Sequence, residues 1–198
     1  MSQFGDLLRR VDQLRTWTET FETPTSIWLP GLFNPSSYLT AAQQVTARET
    51  GLPLDQMTIE THVTDMMDPS EVKEAAESGT YVHGLFIEGA RWPKDPEEAG
   101  DPYSVSGTTC SGALCDPKPK ELMPAMPVIY VKSVRIQPQW EASPVGYLRH
   151  DPDVYECPVY TTPFRGPTFV FTATLRSSAL VSKWIQRGVA LHLQTPES

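Results

Sequence analysis

Four histidines, three cysteines and a scatter of carboxylates are the residues through which this polypeptide of 198 residues could do covalent or acid–base chemistry. Cys110 and Cys115, with four residues between them, could supply two thiolates to zinc. A structural zinc site needs a second closely spaced Cys or His pair, however, and Cys157 and His150 are distant singletons, so free thiols are the plainer reading. Cys157, His150 and Asp151 contain the residue types of a thiol–imidazole–carboxylate relay, but such sites are rarely built from sequence neighbours, and no Gly-x-Ser-x-Gly elbow occurs. His83 and His192 fall in strand-like stretches, where a satisfied core histidine is the simpler account. Glu60 and Glu88 could act as a carboxylate pair only if their strands pair; otherwise they are polar residues on a solvated face. No Gly-Lys dipeptide exists to cradle nucleotide phosphates in a P-loop, and no Gly-x-Gly-x-x-Gly fingerprint supports a dinucleotide fold. The residues therefore assign no catalytic position, no cofactor and no metal.

The charge balance narrows the partners. Sixteen Lys and Arg against 24 Asp and Glu give a net charge of −8, which argues against a nucleic-acid-binding surface. Glu49 to Asp101 holds 13 acidic and 3 basic residues, a local net of −10, so the remainder carries +2; a solvated acidic face is the simple explanation. No stretch reaches the roughly 18 apolar residues of a membrane span, and Met1 to Asp6 lacks the basic-then-apolar order of a secretory signal. The protein is expected to be soluble and intracellular, with reduced thiols.

Around these residues the hydrophobic periods lay out the elements. Leu7, Leu8, Val11, Leu14 and Trp17 recur at helical spacing, predicting an amphipathic helix over Gly5–Glu19 whose apolar stripe must pack on something. Ser26 to Phe33, broken by Pro30-Gly31, reads as a buried loop. Asn34, Pro35 and Gly51 bracket a second helix over Pro35 to Glu49 or Thr50, with Tyr38, Leu39, Ala42 and Val45 inward. Then the period falls to two. Met57–Thr64 predicts a strand, Asp68-Pro69 with Glu71 a short helix, and Tyr81–Glu88 a second strand in which Gly84 marks a bulge, a bend or a close approach. Pro93–Leu122 is Gly-, Pro- and Asp-rich and predicts a long excursion. Further strands follow over Val128–Ile136, Tyr155–Thr161, Thr168–Leu175 and Val189–Gln194, with a tight turn at Arg165-Gly166-Pro167. Helices first and strands afterwards predict an α+β domain: an N-terminal helical part (1–55) packed on an antiparallel, partly closed, barrel-like sheet (56–198). Five tryptophans, Trp17, Trp28, Trp92, Trp140 and Trp184, exceed what such a core needs, and large aromatics are favoured interface anchors.

Several blocks resemble the C-terminal domain of dynein heavy chains. They are Trp28-Leu29-Pro30-Gly31-Leu32-Phe33-Asn34-Pro35, Tyr38-Leu39-Thr40-Ala41, Thr46-Ala47-Arg48 and Leu52-Pro53-Leu54-Asp55. The run Tyr81 to Trp92 follows, then Pro119-Lys120-Glu121-Leu122, Met126 to Val131, Tyr155 to Tyr160, Arg165-Gly166-Pro167-Thr168, Lys183-Trp184 and Gly188 to Leu191. They run in order from end to end, and the Arg-Gly-Pro-Thr hairpin resembles the axonemal outer-arm subgroup. Gly107–Asp116 and Glu141–Asp153 match no block of that pattern.

The resemblance implies a terminal segment of a far longer motor polypeptide, in which N-terminal helices precede a β-barrel-like part lying across the AAA+ ring. In this role the domain modulates ATPase activity, force and processivity without catalysing a reaction. The implied partners are the AAA+ modules of the same heavy chain and, through the whole motor, microtubules; the implied location is the cytoskeleton of the cytoplasm, in a ciliary or flagellar axoneme. On this reading Leu7, Val11, Leu14, Trp17, Trp28, Leu32 and Phe33 are the expected ring contacts. A competing reading is a stand-alone barrel that takes a small apolar ligand in its mouth, and a third is hydrolysis through Cys157.

Overall fold

The computed structural model describes residues 3–22, 24–92, 123–143, 146–148, 151, 153–176 and 180–194. The excursion expected over Pro93–Leu122, with Cys110 and Cys115, lies outside the described residues, as does His150.

Three α-helices are present among the described residues: α1 (Gln3–Thr20), α2 (Pro35–Thr50) and α3 (Val181–Gln186). The strands are β1 (Ser26–Trp28), β2 (Met57–Val63), β3 (Thr80–His83), β4 (Phe86–Glu88), β5 (Ile129–Arg135), β6 (Glu141–Ser143), β7 (Gly146–Leu148), β8 (Val154–Tyr160), β9 (Phe169–Arg176) and β10 (Ala190–His192). The second helix starts where its sequence says it must. The Asn34 side chain accepts the Ser37 N–H at 3.0 Å, Pro35 occupies the first turn, and Gly51 closes the helix in the left-handed region at φ 68°. Of the positions expected inward, Leu39 is buried and Tyr38 and Ala42 are half-buried, whereas Val45 is exposed.

The strands form two four-stranded sheets, ordered β1-β3-β5-β2 and β4-β10-β8-β9, and a small β6-β7 hairpin. The α+β class holds, but the sheets are mixed rather than antiparallel. β1 pairs with β3 and β10 with β8 in parallel, since in each pair a long crossover carries the backbone round to run the same way. Three sequence expectations change locally. Ser26–Trp28, expected as loop, is an edge strand, followed by a buried 3-10 turn over Leu29–Gly31. The helix expected after Asp68 is only a 3-10 turn over Pro69–Glu71, capped by the Asp68 carboxylate on Ser70 N–H at 2.8 Å. The single strand expected over Tyr81–Glu88 breaks at Gly84, which at φ +88° swings the backbone from the first sheet into the second.

That crossing joins the sheets on one side. On the other, edge strands β2 and β9 are linked by side chains in place of a backbone ladder. Thr61 N–H donates to Thr174 Oγ1 at 3.0 Å and Thr174 N–H donates to Thr61 Oγ1 at 2.7 Å. The hydroxyls lie 2.8 Å (Thr174 to Thr61 O) and 3.1 Å (Thr61 to Thr174 O) from the facing carbonyls. Among the described residues the sheets therefore approach one another without a hydrogen-bonded barrel closure.

The core fills the space these sheets enclose. Alternation along β8 buries Tyr155, Cys157 and Val159, which meet Phe171, Ala173 and Leu175 of β9, Ile129 and Val131 of β5, and Val82, Leu85 and Ile87. Helix α3, too short to show a helical period in the sequence, drives Trp184 into this cluster at 0% exposure. Full burial of one such large side chain is worth about 1.5–3 kcal/mol.

Candidate functional site

Three side-chain groups could have carried chemistry. Cys157 is fully buried, and burial pushes its thiol far up from the usual range; its sulfur lies 3.9 Å from the Val189 carbonyl. A protonated, sealed thiol is no nucleophile. Glu60 and Glu88 are not brought together, since β2 pairs with β5 while β4 pairs with β10. Glu60 lies 3.4 Å from Lys132, its cross-strand neighbour.

Glu88 belongs to a different cluster. Its Oε2 accepts from Arg165 at 2.6 Å and faces His192 Nε2 at 2.9 Å, while His192 Nδ1 faces the Thr162 carbonyl at 3.2 Å. Arg165 also donates to the Gly188 carbonyl at 2.6 Å. Partial burial opposes ionisation of Glu88, but the hydrogen bonds and charges of Arg165 and His192 prevail and hold its carboxyl below the usual range. His192 is 0% exposed, and its two nitrogens face oxygens of a carboxylate and a carbonyl rather than a hydroxyl or thiol, so the cluster ties β4, β10 and the β8–β9 turn together. Among the described residues, no group of three or more His, Cys, Asp and Glu is arranged to hold a metal ion.

What remains is a surface. Along α1, Phe4, Leu7, Leu8 and Val11 are 68%, 51%, 54% and 55% exposed. The stripe that must pack on something is thus largely turned away from the domain, whose body is met by Asp6, Arg10, Gln13, Leu14 and Trp17, all half-buried. The reason is β1. As an edge strand it offers unpaired backbone groups, and Gln13 supplies partners for them: its Oε1 accepts the Trp28 N–H at 2.9 Å and its Nε2 donates to the Trp28 carbonyl at 3.2 Å. One amide side chain thus replaces a strand. A Cβ on Gly31 would lie 2.5 Å from the Trp28 ring and 2.8 Å from Gln13 Nε2, so the Pro30-Gly31 turn fits only without a side chain. Gly84 makes the same room on the other edge of the indole, where a Cβ would fall 2.6 Å from it. Trp17 leans on Tyr38 with ring centroids 6.0 Å apart, and the Tyr38 hydroxyl lies 3.3 Å from Thr80 Oγ1. The helix ends where Phe21, 90% exposed, adopts φ 54° and returns its N–H to the Trp17 carbonyl at 3.0 Å, a strained conformation for a bulky residue.

The seven positions expected at an interface thus divide. Leu7 and Val11 lie on the outward stripe and Phe33 is 80% exposed just before α2. Leu14, Trp17, Trp28 and Leu32 are half-buried within the domain. Sequence reasoning missed Phe4 as a member of the outward stripe and Gln13 as its seat; Phe4 continues the period of Leu7, Leu8 and Val11, but nothing distinguishes Gln13 from a solvated glutamine.

Comparison with known proteins follows this geometry. The family model described as the C-terminal domain of the dynein heavy chain matches residues 1–193. The sequence is 44% identical over 195 residues, 96% of its length, to the dynein alpha chain of the flagellar outer arm of Chlamydomonas reinhardtii. It is 40% identical over 193 residues, 98% of its length, to the ciliary dynein beta chain of Tripneustes gratilla, and 40% identical over 191 residues, 96% of its length, to dynein axonemal heavy chain 17 of Homo sapiens. In each case the match spans only 4% of the relative.

Proposed function

The protein belongs to the family of C-terminal domains of dynein heavy chains, and from that premise we propose that it acts without catalysing a reaction, docking on the AAA+ ring of an axonemal, outer-arm-type motor. Its place is the ciliary or flagellar axoneme, in the cytoskeleton, and it reaches microtubules only through the rest of the motor. The observation that carries this reading is the outward apolar stripe of α1. Four large side chains stand exposed on a helix fixed to the body through Gln13, Leu14 and Trp17, a construction that leaves the stripe of Phe4, Leu7, Leu8 and Val11 for another surface. Covering these four would contribute on the order of 5 kcal/mol before ordering costs. Leu14 and Trp17 face the body from the helix, Trp28 receives it through Gln13, Leu32 packs on the core, and Phe33 adds exposed apolar surface elsewhere.

Such a module modulates ATPase activity, force and processivity only if its fit to the ring differs between nucleotide states, because an element biases an equilibrium through differential interaction alone. The test is removal of residues 1–20 from a full-length motor, alongside Leu7→Ser/Val11→Ser in the intact motor. Altered ATPase rate, velocity or stall force in both supports the reading; unchanged values in both refute it.

A further inference from the structure

Beside the seat of α1, and on the opposite side of the helix from its apolar stripe, lies a hollow of about 210 Å³ lined by Arg9, Arg10, Trp28, His83, Phe86 and Leu193, with Asp6 at the rim. A second, wider hollow adjoins it along α1 toward Trp17 and Ser26, sharing Arg9, Trp28 and His83 and including Asp12. Together they make an elongated groove.

Three features mark this groove. Arg9 and Arg10 stack over the Trp28 indole at 4.4 and 5.9 Å from its centroid, and neither has a carboxylate in salt-bridge range among the described residues, although the whole sequence carries −8. His83 Nδ1 is buried with no hydrogen-bond partner among the described residues. Burial first and the Arg9 charge second press the His83 pKa down to about 4, so at neutral pH the ring adds no charge to the groove. Finally, the floor of the narrower end is apolar, formed by Trp28, Pro30, Phe86 and Leu193.

We propose that this groove is a docking site for an acidic peptide segment carrying one aromatic or large aliphatic anchor, its carboxylates held by Arg9 and Arg10 and its anchor seated against Trp28, Phe86 and Leu193. Charge decides the sign of the partner: the narrower hollow sets two arginines against one carboxylate, Asp6, and the Asp12 carboxylate of the wider hollow is already paired with Arg15 at 2.9 Å, which leaves a net positive site on a strongly acidic protein that an acidic segment would fill. Shape decides the class, since a groove extending past the pocket for a single anchor suits an extended peptide better than a compact small molecule. The site does not depend on the apolar stripe proposed to meet the ring.

The probe is a fluorescein-labelled, end-capped Glu-Asp-Phe-Asp-Glu peptide, titrated with the 198-residue protein by fluorescence anisotropy at 50 and 300 mM salt. Saturable binding is expected, weakened at least tenfold by Arg9→Glu/Arg10→Glu, severalfold by high salt and severalfold when the peptide's Phe becomes Ala. Leu7→Ser/Val11→Ser should leave it unchanged, which separates failure of this site from failure of ring docking. Arg9→Gln, a milder change, guards against a charge-reversed variant that does not fold, with melting temperature as the check. The proposal is overturned by no binding at millimolar protein, by equal binding of Lys-Arg-Phe-Arg-Lys, by indifference to Arg9→Gln and Arg9→Glu/Arg10→Glu in folded protein, by indifference to loss of the Phe, or by ATP displacing the peptide stoichiometrically.

Discussion

Replacing Thr174 with valine tests the clasp between the two sheets. Thr61 and Thr174 are 3% and 8% exposed, and each hydroxyl faces both backbone groups of the other residue. Valine keeps the shape of threonine but removes the oxygen, leaving the Thr61 N–H and C=O turned toward a partner that can no longer bond them. An unsatisfied buried polar group costs about 1–3 kcal/mol, so two cost about 2–4 kcal/mol where water gains partial access. Against a total stability of about 5–15 kcal/mol for a domain, that is a large fraction. At about 2–4 °C per kcal/mol for a protein of this size, the melting temperature should fall by about 4–16 °C. Thr174→Ser supplies the control: it keeps the oxygen and loses only a methyl, and should cost about 1 kcal/mol. Urea unfolding followed by tryptophan fluorescence and far-UV circular dichroism reads all three proteins. The reasoning is refuted if Thr174→Val lies within about 0.5 kcal/mol of the parent, the spread of ordinary surface substitutions, or if Thr174→Ser is as damaging as Thr174→Val.

Other consequences follow from the same geometry. The Glu88 carboxyl is held below its ordinary pKa in the folded state, so its contribution is present above the unfolded value of about 4.5 and is lost as pH falls through the folded value. With Glu88 at 40% exposure, Glu88→Gln should cost only about 1 kcal/mol at pH 7, and its stability should converge on the parent's once the pH falls below the depressed folded-state value. Gly84→Ala places a Cβ 2.6 Å from the Trp28 ring and 2.8 Å from Pro30 Cδ at φ +88°, and should cost at least about 2 kcal/mol; a melting temperature equal to the parent's would contradict the crossing geometry. In a Cys110→Ser/Cys115→Ser background, Cys157 should resist a thiol-reactive dye in the native protein and react only on unfolding, whereas fast native labelling would show that the thiol is not sealed.

How far the sequence reached depended on the range of the interaction involved. Helix α2 was legible from Asn34, Pro35 and Gly51 because a cap and a stop are settled by a few neighbouring residues. β2, β5, β8 and β9 were legible because alternation records which face is buried. Gly84 was recognisable as a special position, but whether it would bulge, bend or admit a neighbour depended on Trp28 and Pro30, which lie more than fifty residues away. The same limit explains α3, whose six residues show no period, and Ser26–Trp28, which is a strand only because β3 lies beside it.

The function-bearing surface shows the division most clearly. Sequence alone determined that residues near the N-terminus form a helix with an apolar stripe, since amphipathicity is a property of spacing. It could not determine which face of that helix would be covered. That was decided in three dimensions, where an edge strand needed hydrogen-bond partners, Gln13 provided them, and the polar side of the helix was drawn onto the domain. Spacing is local to the sequence, whereas an unpaired backbone group exists only after the sheet has assembled, and satisfying that group fixed the helix with Phe4, Leu7, Leu8 and Val11 facing out.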